Sequence, residues 1–290
     1  MQIGGSQVDS AARPYNIAMI SYDPKNWIGV LLDFPRSPVF RTLFLDVLGA
    51  GAYAALVVWL ETDVIRIAVP LGPSFLSILG IILGLLLVFR TNTAYDRWWE
   101  GRRLWGQLVN VSRGLARQLA GAPLERRARY AAILTEFPTM LAAHLRRAPG
   151  VGGVHLPGGL LSELHAEVRT DVDAGTLGPD ARLALAPLLQ QFDDVMGACE
   201  RIKNTPIPFS YSSYVKQFVL LYALIMPFGL VKEFGYGTVI ASMFTFFATM
   251  GLELLAGEIE EPFGTDRNDL PLDDIAGVIA RDVRTALVEG

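Results

Sequence analysis

Residues 71–108 read LGPSFLSILGIILGLLLVFRTNTAYDRWWEGRRLWGQL, and the two halves of this stretch settle what kind of protein the chain is. The first half, Leu71 to Phe89, carries no charge. As a helix rising about 1.5 Å per residue it crosses most of a hydrocarbon core roughly 30 Å thick. The second half sets Trp98, Trp99 and Trp105 among Arg97, Arg102 and Arg103, a composition expected where amphipathic rings and snorkelling arginines meet a membrane surface. Within the apolar half, Gly80 and Gly84 form a GxxxG spacing, which lets another helix approach closely in lipid. About 100° round the helix lie Ile81, Leu85 and Phe89, a straight i, i+4, i+8 apolar line. A helix packed through its glycines turns that line toward a neighbouring surface or a central axis, whereas plain lipid contact produces the same period.

Working outward, three further apolar stretches accompany this one: Thr42 to Leu60, Phe218 to Val231 and Thr238 to Gly257. The third stretch in chain order, Phe218 to Val231, is marginal as a span without its flanks. With 51% apolar residues and a mean hydropathy of +0.35 over 290 residues, the chain is too hydrophobic for an ordinary soluble domain of its length. No short hydrophobic region precedes a small-residue cleavage site, so the first span reads as a retained helix and not a signal peptide. Arg36 and Arg41 precede that span, and Arg90, Arg97, Arg102 and Arg103 follow the second, while the two short loops contribute Arg66 and Lys232. Positive-inside asymmetry therefore places the long polar region and both termini in the cytoplasm. The chain divides into an N-terminal arm (1–41), a first helix pair (42–89), a helical cytoplasmic region (90–214), a second pair (215–257) and a C-terminal segment (258–290).

The polar region reads as helices over Arg97 to Ala120, Leu124 to Arg147 and Ala181 to Lys203, with a Gly- and Pro-rich break at Ala148 to Gly159. In the last of these helices Leu185, Leu188, Phe192, Val195, Cys199 and Ile202 make one buried stripe, so Cys199 reads as a packing residue. One cysteine excludes an internal disulfide and any CxxC site. The histidines, His144, His155 and His165, lie in no catalytic motif, and Glu163 with His165 reads as ordinary surface before it reads as zinc ligands. No residue set supports an enzyme, and the net charge of −4 gives no footprint for nucleic acid.

Four segments in order carry a resemblance: Phe89 through Asp96-Arg97-Trp98-Trp99 to Trp105-Gly106; Thr205-Pro206-Ile207-Pro208-Phe209-Ser210-Tyr211; Pro227-Phe228-Gly229-Leu230; and Glu261-Pro262-Phe263-Gly264-Thr265-Asp266-Arg267-Asn268-Asp269-Leu270-Pro271-Leu272. Together they resemble the bestrophin family of ion channels, in the style of its bacterial members. The resemblance implies an all-α membrane protein of the bacterial inner membrane, a homopentamer with four transmembrane helices per subunit around one axial pore that passes small ions without a cofactor. It places a hydrophobic neck at Ile81, Leu85 and Phe89 and a cytoplasmic aperture at Ile207. Animal members hold calcium after the Pro-Phe-Gly segment, at positions that align with Asp266 and Asp269. Here Arg267 and Asn268 interrupt the acidic run, so a polar turn is the favoured expectation over a calcium site. Five chains of charge −4 lean the expected selectivity toward monovalent cations. An anion channel of the same architecture, or a membrane scaffold that does not conduct, are the alternatives.

Overall fold

A computed structural model describes residues 38–64, 71–147, 155–178, 180–266 and 268–289. The expected arm up to residue 37, Arg66 and Arg267 lie outside the described residues. Among the described residues eight α-helices follow in order: α1 Pro38–Trp59, α2 Pro73–Leu119, α3 Leu124–Leu145, α4 Leu156–Asp173, α5 Ala181–Asn204, α6 Phe209–Phe234, α7 Gly237–Ile259 and α8 Leu272–Arg284. π-helical turns, Leu60–Val64 and Thr285–Glu289, extend α1 and α8.

The four apolar stretches lie in α1, the first half of α2, α6 and α7, each long and apolar enough to cross a membrane. The marginal stretch at Phe218 becomes a 26-residue helix because its flanks continue the turn. Gly235, with φ +51°, closes the turn from α6 into α7, a conformation that a residue with a Cβ rarely adopts. In the most apolar window of α2, 22% of the residues are buried within the chain. So much uncovered apolar surface fits lipid or neighbouring copies, not water.

The second layer packs α3, α5 and α8 against the distal half of α2 and lays α4 on α3 and α5. Its core holds Trp105, Tyr130, Phe137, Phe192, Cys199 and Val283 among others. Phe137 and Phe192 meet as a tilted pair with ring centroids 5.2 Å apart. α8 lays one stripe, Leu272, Ala276, Ile279 and Val283, into that core. Two expectations shift. Leu189, not Leu188, is the fully buried member of the α5 stripe. The break at 148–159 is shorter than the composition suggests, because Pro157 stands in the first turn of α4, where its missing N–H costs nothing.

The largest departure is α2. Separate helices were expected over Leu71 to Phe89 and Arg97 to Ala120, yet the backbone runs unbroken for 47 residues, about 70 Å at 1.5 Å per residue. Thr91, Asn92 and Thr93 are weak helix formers, but neither Pro nor Gly stands between Arg90 and Glu100 to stop the helix. One rod therefore joins the apolar layer to the polar one.

Candidate functional site

The two faces of α2 differ sharply. Leu76, Leu83, Leu87, Arg90 and Ala94 are buried inside the chain. Leu83 and Leu87 pack with Val215 and Val219 of α6, and Leu86 leans on the same cluster. On the opposite face Ile81, Leu85 and Phe89 are 72%, 55% and 54% exposed. The glycines divide between these surroundings. A Cβ on Gly80 would meet the Tyr222 hydroxyl at 3.0 Å, so α6 takes the close approach there, while Gly84 faces open space. Continuing down the exposed face at the helical period come Asn92, Asp96, Trp99 and Arg103, all exposed. Trp99, Arg102, Arg103, Gln107 and Asn110 with Leu188 and Gln191 of α5 border a cleft of about 690 Å³.

Two arginines fasten this rod at the base of its apolar half, and neither behaves as a snorkelling residue. Arg90 is 1% exposed. Its Nη2 donates to Glu260 Oε2 at 2.7 Å, and Glu253, also buried, lies 3.9 Å from its Nε. Glu260 in turn accepts the Ile207 backbone N–H through its other oxygen at 3.1 Å. Arg97 donates to three carbonyls at helix ends: Ile202 (2.7 Å), Thr205 (2.5 Å) and Glu260 (3.0 Å). Carbonyls left over at helix C-termini are where a guanidinium binds well. Trp98 donates its indole N–H to the Asn268 carbonyl at 3.0 Å, and Trp105 is wholly buried, so Trp99 alone of the three rings stands exposed. The backbone of α2 beside Phe89 is thus tied through Glu260 to the loop that carries Ile207. The Ile207 side chain itself is 8% exposed, flanked by exposed Pro206, Pro208 and Phe209. The structure does not bring it onto one surface with Ile81, Leu85 and Phe89 in a single chain.

Asp266 and Asp269 share a tight turn after α7. Asp269 is 5% exposed and its Oδ2 accepts the Asp266 N–H at 2.6 Å, while its Oδ1 is buried without a hydrogen-bond partner. Burial pushes its carboxyl up to about 7, with the Asp266 N–H opposing and Asp266, Glu258 and Glu261 adding to the rise. Phe263 and Pro262 press this turn against α2, where a Cβ on Gly101 would meet Phe263 at 3.0 Å. Calcium takes six to eight oxygens. Here one carboxylate folds back on its own turn and the other side chain is exposed, so the side chains at hand do not make a calcium cage.

Several ionisable groups of the polar layer are paired with one another. Arg126 pairs with Glu167 and, at 2.7 Å, with Asp171, which also accepts the Tyr130 hydroxyl at 2.5 Å. Glu163 pairs with Arg129, and His165 with Asp193 at 3.0 Å, so the two do not converge on one ligand. Burial pushes the Cys199 thiol up to about 12, with Glu200 and Glu100 adding to the effect, which keeps it protonated and inert. Sequence reasoning missed Glu253 and Glu260. The available signal was two glutamates inside and just past an otherwise uncharged span, which in a membrane calls for a buried partner.

Four apolar helices, one of them running on as a rod with an uncovered apolar line, define an α-helical integral membrane protein. The chain belongs to the bacterial and fungal bestrophin family, whose model matches residues 19–285. It is 37% identical to a voltage-dependent anion channel-forming protein of Ralstonia nicotianae, over 86% of this chain and 87% of that one. A protein of the same description from Nostoc is 32% identical over 89% and 91%. Among solved structures, a bestrophin homologue from Klebsiella pneumoniae superposes with a TM-score of 0.75 at 28% identity, covering 84% of this chain and 97% of that chain.

Proposed function

We propose that five copies of the chain surround one axial pore in the bacterial inner membrane and pass small monovalent ions passively, anions before cations. The observation that carries this reading is the exposed line Ile81, Leu85 and Phe89 on a helix whose other face is buried and whose base is clamped. Brought to a shared axis, five such lines form an apolar neck whose width and wetting control the flow, since ions find no polar partners there. No catalytic step or bound cofactor enters. The polar layer and both termini lie in the cytoplasm under this reading, and lipid covers the outer faces of α1, α6 and α7. A second constriction falls at the loop Thr205–Phe209, held in place through the Ile207 N–H; its exposed members, Pro206, Pro208 and Phe209, are free to face the axis or a neighbouring chain.

Anions are favoured on two grounds. The Ralstonia and Nostoc relatives are described as forming anion channels, and Arg102 and Arg103 stand exposed below the neck. The net charge of −4, which suggested cations, is a weak guide because it sums charges over the whole chain and need not face the pore. One observation favours the cation reading, namely Asp96, exposed two turns below Phe89 on the same face. Planar-bilayer recording of the purified protein in a sodium chloride gradient tests both levels. Currents with a reversal potential toward the chloride equilibrium potential support the proposal. A reversal toward sodium leaves the channel and replaces its selectivity, and a bilayer without discrete currents removes the channel. Native mass spectrometry of the same sample should show a pentamer.

A further inference from the structure

We propose that His144, His155 and Glu200 form a binding site for a first-row divalent metal ion of the zinc type, in the polar layer and apart from the neck. His144 ends α3, His155 caps the start of α4, and Glu200 stands in the last turns of α5. Three helices separated along the chain thus deliver two imidazoles and a carboxylate to one point. One ligand atom from each lies within 4.8 Å of the others. His155 Nε2 is 2.6 Å from Glu200 Oε1, and His144 Nε2 is 3.0 Å from the same oxygen. The imidazole rings lie 4.6 Å apart, centroid to centroid, and tilted by 59°. Ligands bound tetrahedrally at about 2.0–2.1 Å stand a little over 3 Å from one another, so a small outward movement of the side chains admits an ion.

The donor set chooses the ion. Two imidazole nitrogens and one carboxylate suit zinc and its neighbours, whereas calcium and magnesium prefer oxygen throughout. Three protein ligands leave a fourth position for water or another donor. Cys199, next along the chain, is not that donor, since it is buried in the core on the α5 stripe. The glutamate and both imidazoles are partly exposed, which gives the ion a way in. His155 Nδ1 accepts the Gly158 N–H at 3.0 Å, so without metal its proton sits on Nε2 and bonds Glu200. Metal binding at Nε2 moves that proton to Nδ1 and gives up the Gly158 bond, a small loss against a metal–nitrogen bond. The ion then joins the ends of α3, α4 and α5.

The test uses the full-length protein in detergent, stripped with a chelator and titrated with zinc chloride by calorimetry, and separately with cobalt chloride followed by visible absorption. The expected result is one saturable zinc per chain and a cobalt spectrum with an intense tetrahedral band. Glu200→Gln and His144→Ala should each weaken zinc by more than about tenfold and remove the band. His155→Asn, which can still cap α4, should do the same. His165→Ala, whose partner is Asp193, should leave stoichiometry and affinity unchanged. Absence of saturable zinc in the unsubstituted protein overturns the proposal, and so does unchanged affinity in the three ligand variants when circular dichroism shows them folded. Neither readout involves current, so the result is independent of whether the protein conducts.

Discussion

Glu260→Gln removes one charge from the clamp below the neck and leaves its shape nearly intact. Arg90 is then buried with Glu253 as its remaining anionic partner, 3.9 Å from Nε against 2.7 Å for the Glu260 contact. With an effective dielectric constant of about 20, the two attractions are about 4 and about 6 kcal/mol. Glu253 thus keeps roughly two-fifths of the pairing, and the cost should fall near the lower end of the 3–5 kcal/mol typical of breaking a buried pair, about 3 kcal/mol. For a chain of this size, about 3 kcal/mol corresponds to a drop of about 5–10 °C in melting temperature. Glutamine still accepts the Ile207 N–H, so Glu260→Ala should lose about 1 kcal/mol more and should alone loosen the loop Thr205–Phe209. The assay is differential scanning fluorimetry of the solubilised protein at one scan rate, with single-channel recording of both variants. Glu260→Gln melting within about 1 °C of the unsubstituted protein, or Glu253→Gln proving more damaging than Glu260→Gln, would refute the reasoning.

In the neck, Leu85→Ala and Phe89→Ala should raise single-channel conductance or open probability. Leu86→Ala should leave permeation unchanged while lowering stability by about 2 kcal/mol, because Leu86 packs against the cluster that joins α2 to α6; the reverse pattern would show that the pore face is misassigned. For selectivity, Arg103→Gln should move the reversal potential away from chloride and Asp96→Asn should move it toward chloride, and no movement in either would remove both groups from the ion path. For pH, Asp269 has its carboxyl raised from the ordinary 3.8 to about 7 in the folded chain. Its contribution to stability is therefore complete below about pH 4 and lost as pH rises through about 7. The melting temperature of Asp269→Asn relative to the unsubstituted protein should accordingly rise between pH 5 and 8, scanned in a chelator, and a constant difference would disprove the shift.

An uncharged run over 71–89 and a run over 238–257 whose one charge is Glu253 cannot be hidden in a chain of this size except by lipid or by other chains, so the membrane class was legible from residues alone. The same holds for the α5 stripe ending at Cys199 and Ile202, where a 3.6-residue period is a local property. Spacing also isolated Ile81, Leu85 and Phe89, although a helix period says which residues share a face and not what that face meets. That required the tertiary structure, which covers the opposite face of α2 with α6 and leaves this one open. Arginines near a span end look alike in sequence whether they snorkel or are buried. Folding α7 against α2 is what sets Glu260 beside Arg90 and makes them a clamp across 170 residues. His144, His155 and Glu200 belong to three different helices, and no one-dimensional pattern brings them together. Local periodicity is written in the order of residues, whereas convergence of distant side chains depends on how helices cross, which the packing of the whole core decides.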